Sequence, residues 1–177
     1  YKVEVRELGE RLGIDRAALW RHPFPGPGLG VRLLCSDGLD DGKAAELTPL
    51  VAAMAEARGL QALVLPIRSV GVKADLRSYE HPVLLCGDAN WETFLELSGR
   101  LLAEVDGINR CVWRLGAGLP RSVRLCPATT TRARLDLLRE ADALVMEGLV
   151  RHGIYDSIWQ CPTAMAPLSF DDGDAGP

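Results

Sequence analysis

The sequence predicts an α+β fold, with helices packed on one side of mixed β-sheets. Two observations carry this. Residues 91–105 and the long stretch up to Val150 place their apolar residues at a helical 3.6 period. Between the helical stretches lie short apolar runs, of which Ala62 to Ile67 reads as a buried strand.

Taken in order, Lys2 to Leu12 is an amphipathic helix, with Val5, Leu8 and Leu12 at helical spacing and Gly13 as its stop. Asp15 caps a short turn carrying Ala18, Leu19 and Trp20. From Pro23 to Gly30, three prolines fix φ and remove donors while three glycines admit unusual φ. This is a rigid loop and a domain boundary. Val31 to Cys35 reads as a strand and Ser36 to Lys43 as a polar turn. Thr48-Pro49 starts a helix, with Leu50, Val51, Met54 and Ala57 on one face and Gly59 at its end.

After the strand at 62–67, Ser69 to Val72 stays extended. Lys73 to Tyr79 is a turn leading to a strand at Val83 to Cys86. Asp88-Ala89-Asn90 caps a helix with Trp91, Phe94, Leu95, Leu101, Leu102 and Val105 on its apolar side. Asp106-Gly107 stops it, Ile108 to Leu115 is a strand, and Gly116 to Pro127 is a linker. Thr129 to Thr131 caps the long helix, whose buried side is Leu135, Leu138, Ala141, Leu144, Val145 and Leu149. Gly153 ends it, Ile158 to Phe170 holds one or two strands, and the acidic tail 171–177 is expected to be disordered. Gln61 to Ser69 is faintly echoed by Gln160 to Ser169, as in a duplicated module whose second copy stops early.

Composition narrows the function classes. The 177 residues are 47% hydrophobic and 25% charged, as in one soluble globular domain or one domain plus part of another. A net charge of −4 argues against a non-specific nucleic-acid or membrane-surface binder, and no run approaches the ~20 apolar residues of a membrane span. The lysines are only Lys2, Lys43 and Lys73. The Arg excess suits bidentate contacts to phosphate or carboxylate and equally suits a GC-rich genome. The five cysteines form no C-x-x-C pair. Cys35, Cys86 and Cys111 read as small buried hydrophobes in a reducing, cytoplasmic setting.

The motifs exclude several chemistries. There is no phosphate loop of the G-x-x-x-x-G-K-[ST] type and no nucleophile elbow. Gly26-Pro27-Gly28-Leu29-Gly30 is not a dinucleotide fingerprint. His22, His81 and His152 are far apart, so no catalytic residue and no metal ligand is assigned. His81 is expected at a strand edge, His152 at a helix end, and His22 as an organiser of the proline loop. Arg68, Asp75, Arg77 and Tyr79 form the more suggestive set. In an extended chain Asp75 and Arg77 point the same way, which suits a polar ligand, although spacing alone favours a local ion pair.

His22-Pro23-Phe24-Pro25-Gly26-Pro27-Gly28-Leu29-Gly30-Val31-Arg32 resembles the loop joining the ATP-pyrophosphatase domain to the dimerisation domain in glutamine-hydrolysing GMP synthetases. Val3 to Gly13 resembles the last helix of that pyrophosphatase domain. Leu65-Pro66-Ile67-Arg68-Ser69-Val70-Gly71-Val72, Asp75-Leu76-Arg77-Ser78-Tyr79 and Glu104-Val105-Asp106-Gly107-Ile108-Asn109-Arg110 resemble dimerisation-domain signatures. Leu137 to Ala143 lies after the Arg-Ser-Val-Gly-Val signature, as in the long form with two dimerisation subdomains.

The resemblance implies a C-terminal fragment. Its expected parts are the end of the pyrophosphatase domain (1–21), a Pro/Gly linker (22–32), a first dimerisation subdomain (33–127), the start of a second (128–170) and a tail (171–177). It implies an enzyme that adenylates xanthosine monophosphate with ATP and Mg²⁺ and then aminates it with ammonia from glutamine. Asp75 and Gln160 would contact the xanthine nucleotide, with Arg77 nearby. The glutaminase and pyrophosphatase domains would be partners in the parent chain, and a homodimer is implied. The pyrophosphate loop, the glutaminase cysteine and the family's C-terminal Lys-Pro-Pro ending are absent from these residues, and Ala74 stands where a glycine is expected. The fragment alone is therefore expected to be inactive, to bind no cofactor and to hold the nucleotide weakly at most. The alternative is a free-standing dimerisation or nucleotide-sensing module. A start codon just before Tyr1 would favour that module; the helix at 2–12 favours the fragment.

Overall fold

The computed structural model describes residues 1–22, 28–73, 76–116 and 118–171. In chain order the helices are α1 (Lys2–Arg11), α2 (Arg16–Leu19), α3 (Lys43–Glu56), α4 (Trp91–Glu104) and α5 (Arg132–Arg151). The strands are β1 (Gln61–Val64), β2 (Ser69–Lys73), β3 (Leu76–Cys86), β4 (Ile108–Trp113), β5 (Ser122–Leu125) and β6 (Leu168–Asp171). The class is α+β, as the periodicities predict. No helix among the described residues is long and apolar enough to cross a membrane.

Contacts divide the chain into two units. The first joins Tyr1–Leu34 to Thr130–Met165, and the second joins Cys35–Thr129 to the segment from Ala166 onward. These units do not follow the consecutive division at 21, 32, 127 and 170. Strand pairing returns the end of the chain to the second unit, because β6 runs antiparallel to β5, from Ser122 opposite Asp171 to Leu125 opposite Leu168.

In the first unit, α1 forms over the predicted span, and its Val5, Leu8 and Leu12 are exposed. Asp15 caps α2 by accepting from the Ala17 N–H. The strand expected at 31–35 is replaced by a 3-10 turn at Gly30–Arg32 and a single bridge from Leu33 to Met165. The reason is that only a short strap flanks it. Leu34 donates to the Met165 carbonyl and Met165 to the Arg32 carbonyl.

Thr131 caps α5 by accepting from Arg134 N, and Gly153 follows the helix with φ +66°. Of the apolar side expected for α5, only Leu138 is fully buried, at 1% exposure, while Leu144 is 70% exposed. The buried face is set by polar anchors one turn either side of Leu138. Arg134 donates to the Leu34 carbonyl at 2.9 Å. Asp142 takes a two-pronged bond from Arg32 at 2.5 and 3.1 Å.

In the second unit, β3 is the hub of a mixed sheet. Its first half pairs antiparallel with β2, and its second half pairs antiparallel with β1 and parallel with β4. The parallel pairing is reached through α4, as a parallel connection requires a crossover. Helices α3 and α4 cover one face. Val51, Ala55, Phe94, Leu97 and Leu101 pack there on Val64, Val83, Leu85 and Ile108. On the other face Leu84 and Cys86 pack with Val112, and with Val123 of β5 and Leu168 of β6. At about 25 cal/mol per Å² of apolar surface, these two clusters are the main stabilising term of the unit.

Several local expectations change here. Helix α3 begins at Lys43 rather than Thr48, because Asp40 and Asp41 accept from the N–H groups of Gly42 and Lys43 and Gly42 takes φ +76°. Pro49 thus lies inside the helix. Thr48 Oγ1 bonds back to the Ala44 carbonyl at 2.8 Å and accepts from Val64 N at 3.1 Å, tying α3 to β1. Leu50 faces solvent, and Val51 and Ala55 face the core.

The turn expected at 73–79 gives way to strand from Leu76 onward, since Ser69–Lys73 offers Leu76–Glu80 a full ladder. Residues 74 and 75 lie outside the described ones. The linker at 116–127 contains β5. Cys35 is exposed rather than buried, whereas Cys86 is buried. The tail beyond Asp171 lies outside the described residues.

Candidate functional site

The signature segments meet at one junction of the second unit. Gly71 of β2 packs directly against Asn109 of β4. Asn109 donates to the Ser69 carbonyl at 2.5 Å and accepts from Ser69 Oγ at 2.9 Å. It also donates to Ser78 Oγ at 3.3 Å. Arg110 bonds the Val70 carbonyl. The segments 69–71, 78 and 108–110 therefore lock together through one half-buried amide and one glycine.

Next to this junction stands His81, only 4% exposed. Its backbone N–H donates to the Gly107 carbonyl at 3.0 Å. Its Nδ1 lies 3.0 Å from the Leu65 carbonyl, and a carbonyl only accepts, so Nδ1 carries the hydrogen. The register shifts between His81 and Pro82, where the proline has no N–H for the ladder. His81 is thus a central residue, not the strand-edge residue expected. Neighbours pair with β3 on both edges.

A cleft of about 260 Å³ opens here, lined by Lys43, Arg68, Tyr79, Glu80, His81 and Asp106 among others. Arg68 is ion-paired to Asp41, and this hydrogen bond holds the Asp41 carboxyl below its ordinary value. Arg68 and Tyr79 of the suggestive set share this cleft. Arg77 is exposed on β3 and is not part of the lining. Asp75 lies outside the described residues.

Gln160 belongs to the first unit, where it is exposed in the segment after a 3-10 turn at Tyr155–Ser157. Arg77 belongs to the second, so neither unit by itself holds the predicted set. The turn before Gln160 forms a pocket of about 220 Å³ with Arg6, Trp20, Arg21 and His22. His22 stacks on Tyr155 with ring centroids 4.1 Å apart and planes 8° from parallel. The His22 Nε2 donates to the Tyr155 carbonyl at 3.0 Å, and its backbone N–H bonds the Tyr155 hydroxyl at 3.3 Å. The ring thus orders the Tyr155 turn; the proline loop at 23–27, which it was expected to order, lies outside the described residues. His152 caps the end of α5, as expected.

Sequence reasoning missed Glu80 and His81 as cleft residues and the aromatic group of Trp20, His22, Tyr155 and Trp159. The first hides inside a strand. The second is split across the chain by more than a hundred residues, so no local pattern announces it. Among the described residues no three His, Cys, Asp or Glu side chains gather as metal ligands.

No protein-family model matches the chain. A probable GMP synthase (glutamine-hydrolysing) of Leptospira interrogans is 36% identical over 177 residues, covering 98% of this chain and 29% of that protein. The GMP synthase of Dictyostelium discoideum is 26% identical, covering 96% of this chain and 30% of its own length. That of Staphylococcus saprophyticus is 35% identical over 145 residues and covers 70% of the chain. Over nearly its whole length the chain matches a stretch of glutamine-hydrolysing GMP synthases, and it spans under a third of the length of these relatives.

Proposed function

We propose that this chain is the C-terminal dimerisation and xanthosine-monophosphate-binding region of a GMP synthase. The observation that carries the reading is the 36% identity to the Leptospira protein across 98% of the chain, linker loop and signature segments included. The long form is favoured by coverage. The Leptospira and Dictyostelium proteins align with 98% and 96% of the chain, against 70% for the Staphylococcus protein. In this reading the parent enzyme is a cytoplasmic, homodimeric ligase that forms a C–N bond, supplied with ammonia by its glutaminase domain.

The chain's own work is to hold the nucleotide. Asp75 accepts from ring N–H or ribose hydroxyl groups, and the Gln160 amide pairs with a polar edge of the ligand. Arg77, exposed on β3, adds a cation near the nucleotide. In this reading ATP and Mg²⁺ would supply the activation of the purine oxygen at the catalytic domain of the parent enzyme. The chain alone is proposed to be inactive.

Titration calorimetry of xanthosine monophosphate into the chain tests this. Weak binding that Asp75→Asn and Gln160→Ala both diminish is the expected result. Tight binding without a catalytic domain would favour a nucleotide-sensing module instead.

A further inference from the structure

We propose that the cleft beside His81 binds a free α-amino acid, whose zwitterion inserts between Arg68 and Asp41 and whose ammonium group donates to His81 Nε2. The inference stands apart from the nucleotide reading and uses none of Asp75, Arg77 and Gln160.

The starting point is an acceptor without a donor. His81 is 4% exposed and lines the cleft. Its Nδ1 hydrogen is engaged by the Leu65 carbonyl, so Nε2 carries no hydrogen and only accepts. Nε2 is buried and has no hydrogen-bond partner among the described residues. A buried polar atom left unpaired is costly, so a donor that reaches it gains that cost back. A hydroxyl, an amide or an ammonium group could serve, and the surroundings select among them.

Those surroundings carry both signs of charge. Arg68 and Asp41 are bonded to each other, with side chains 42% and 45% exposed. The Arg68 hydrogen bond chiefly, and the His81 ring to a smaller extent, hold the Asp41 carboxyl below its ordinary value, so ring and carboxylate lie within electrostatic range. Lys43, Glu80 and Asp106 line the same cleft as further cation and anions. Lys43 is paired only loosely, to Glu46 at 3.8 Å on the exposed side of α3.

A simple cation would meet Arg68 and Lys43 here, and a simple anion would meet Asp41 and Asp106. A zwitterion satisfies both signs. Its carboxylate takes the guanidinium fork of Arg68. Its ammonium group replaces that guanidinium at Asp41 and turns a second hydrogen to Nε2. The ion pair that opens is half-exposed, and such pairs are weak, so Arg68 and Asp41 can move aside to admit the ligand to Nε2. The size agrees. At about 260 Å³ the cleft is smaller than the ~300–1,000 Å³ of pockets that take drug-sized ligands, and Leu47 gives it an apolar wall for a short side chain.

Long-range proton–nitrogen NMR of the isotope-labelled chain tests this, because it reads the imidazole nitrogens of the three histidines His22, His81 and His152. His81→Gln assigns the His81 signal. Should that variant not fold, His22→Gln and His152→Gln assign it by elimination. L-alanine is expected to move the His81 Nε2 signal saturably and to leave those of His22 and His152 in place. Methylammonium and propionate each offer half of the contacts and are expected to bind about tenfold more weakly or worse. Arg68→Gln and Asp41→Asn are each expected to weaken L-alanine about tenfold. Asparagine keeps a side-chain oxygen for the Lys43 N–H, so α3 retains its start.

A His81 signal that L-alanine does not move at millimolar concentration overturns the site and leaves a water as the partner of Nε2. Equal binding of methylammonium or propionate overturns it as a site for an adventitious ion only. Alanine binding that both Arg68→Gln and Asp41→Asn leave unchanged overturns it as well.

Discussion

A Cβ placed on Gly71 would stand 2.7 Å from the Cβ of Asn109. Asn109 crosses β2 at this point to bond the Ser69 carbonyl and the Ser78 hydroxyl, and only a glycine leaves room for it. The backbone at Gly71 needs no positive φ, so the requirement is purely steric. Gly71→Ala is expected to cost about 1–3 kcal/mol by overpacking. The same change should cost less in an Asn109→Gly background, where the opposing carbons are gone. A double-mutant cycle by urea unfolding reads the coupling, and strictly additive effects would refute the contact.

Arg32 and Asp142 are the main polar anchor of α5 in its unit, with side chains 12% and 23% exposed. The Arg32 hydrogen bond holds the Asp142 carboxyl below its ordinary value of 3.8. The sign follows from linkage. A carboxyl depressed in the folded state contributes stability that is full above its unfolded value and is lost as the pH falls toward the folded one. Asp142→Asn is expected to cost about 1–3 kcal/mol near neutral pH and to flatten the loss of stability below about pH 4. An unaltered acid limb in the variant would show that the pair contributes nothing.

The two leucines of α5 that the sequence treats alike should behave differently. Leu138→Ala removes a fully buried side chain and is expected to cost about 2–5 kcal/mol, while Leu144→Ala should cost under about 0.5 kcal/mol. Thermal unfolding of the two variants side by side decides it. Equal shifts would mean that the exposed leucine is covered in solution.

The cysteines offer a chemical readout of the fold. Burial raises the thiol pKa of Cys86 and of Cys111, and Cys35 is exposed. Since the thiolate is the reactive form, a limiting dose of iodoacetamide should label Cys35 first and Cys86 last, as read by peptide mass spectrometry. Early labelling of Cys86 would contradict its place between the sheet and β5–β6.

Periodicity and capping are local, and they were legible. The cap at Asp15 is where the sequence put it, those at Asn90 and Thr131 fall within the capping runs 88–90 and 129–131, and α1, α4 and α5 follow within a residue or two. The α+β class and the family signatures were also readable. Of the candidate nucleotide residues, Arg77 and Gln160 fall on exposed positions of different units, and Asp75 lies outside the described residues. The aromatic pocket was not legible, because Trp20 and His22 meet Tyr155 and Trp159 only after folding.

By itself, then, the sequence determined α1, α4 and α5, the α+β class and the resemblance to GMP synthases, because each rests on neighbours a few residues apart. Tertiary structure alone decided which face of α5 is buried, that β3 runs unbroken from Leu76 to Cys86, and that His81 sits inside the sheet. It also sent β6 back to β5. The physical reason is common to all four. A strand or a helix face is defined by the partner that satisfies its hydrogen bonds and covers its side chains, and here those partners are distant in the chain.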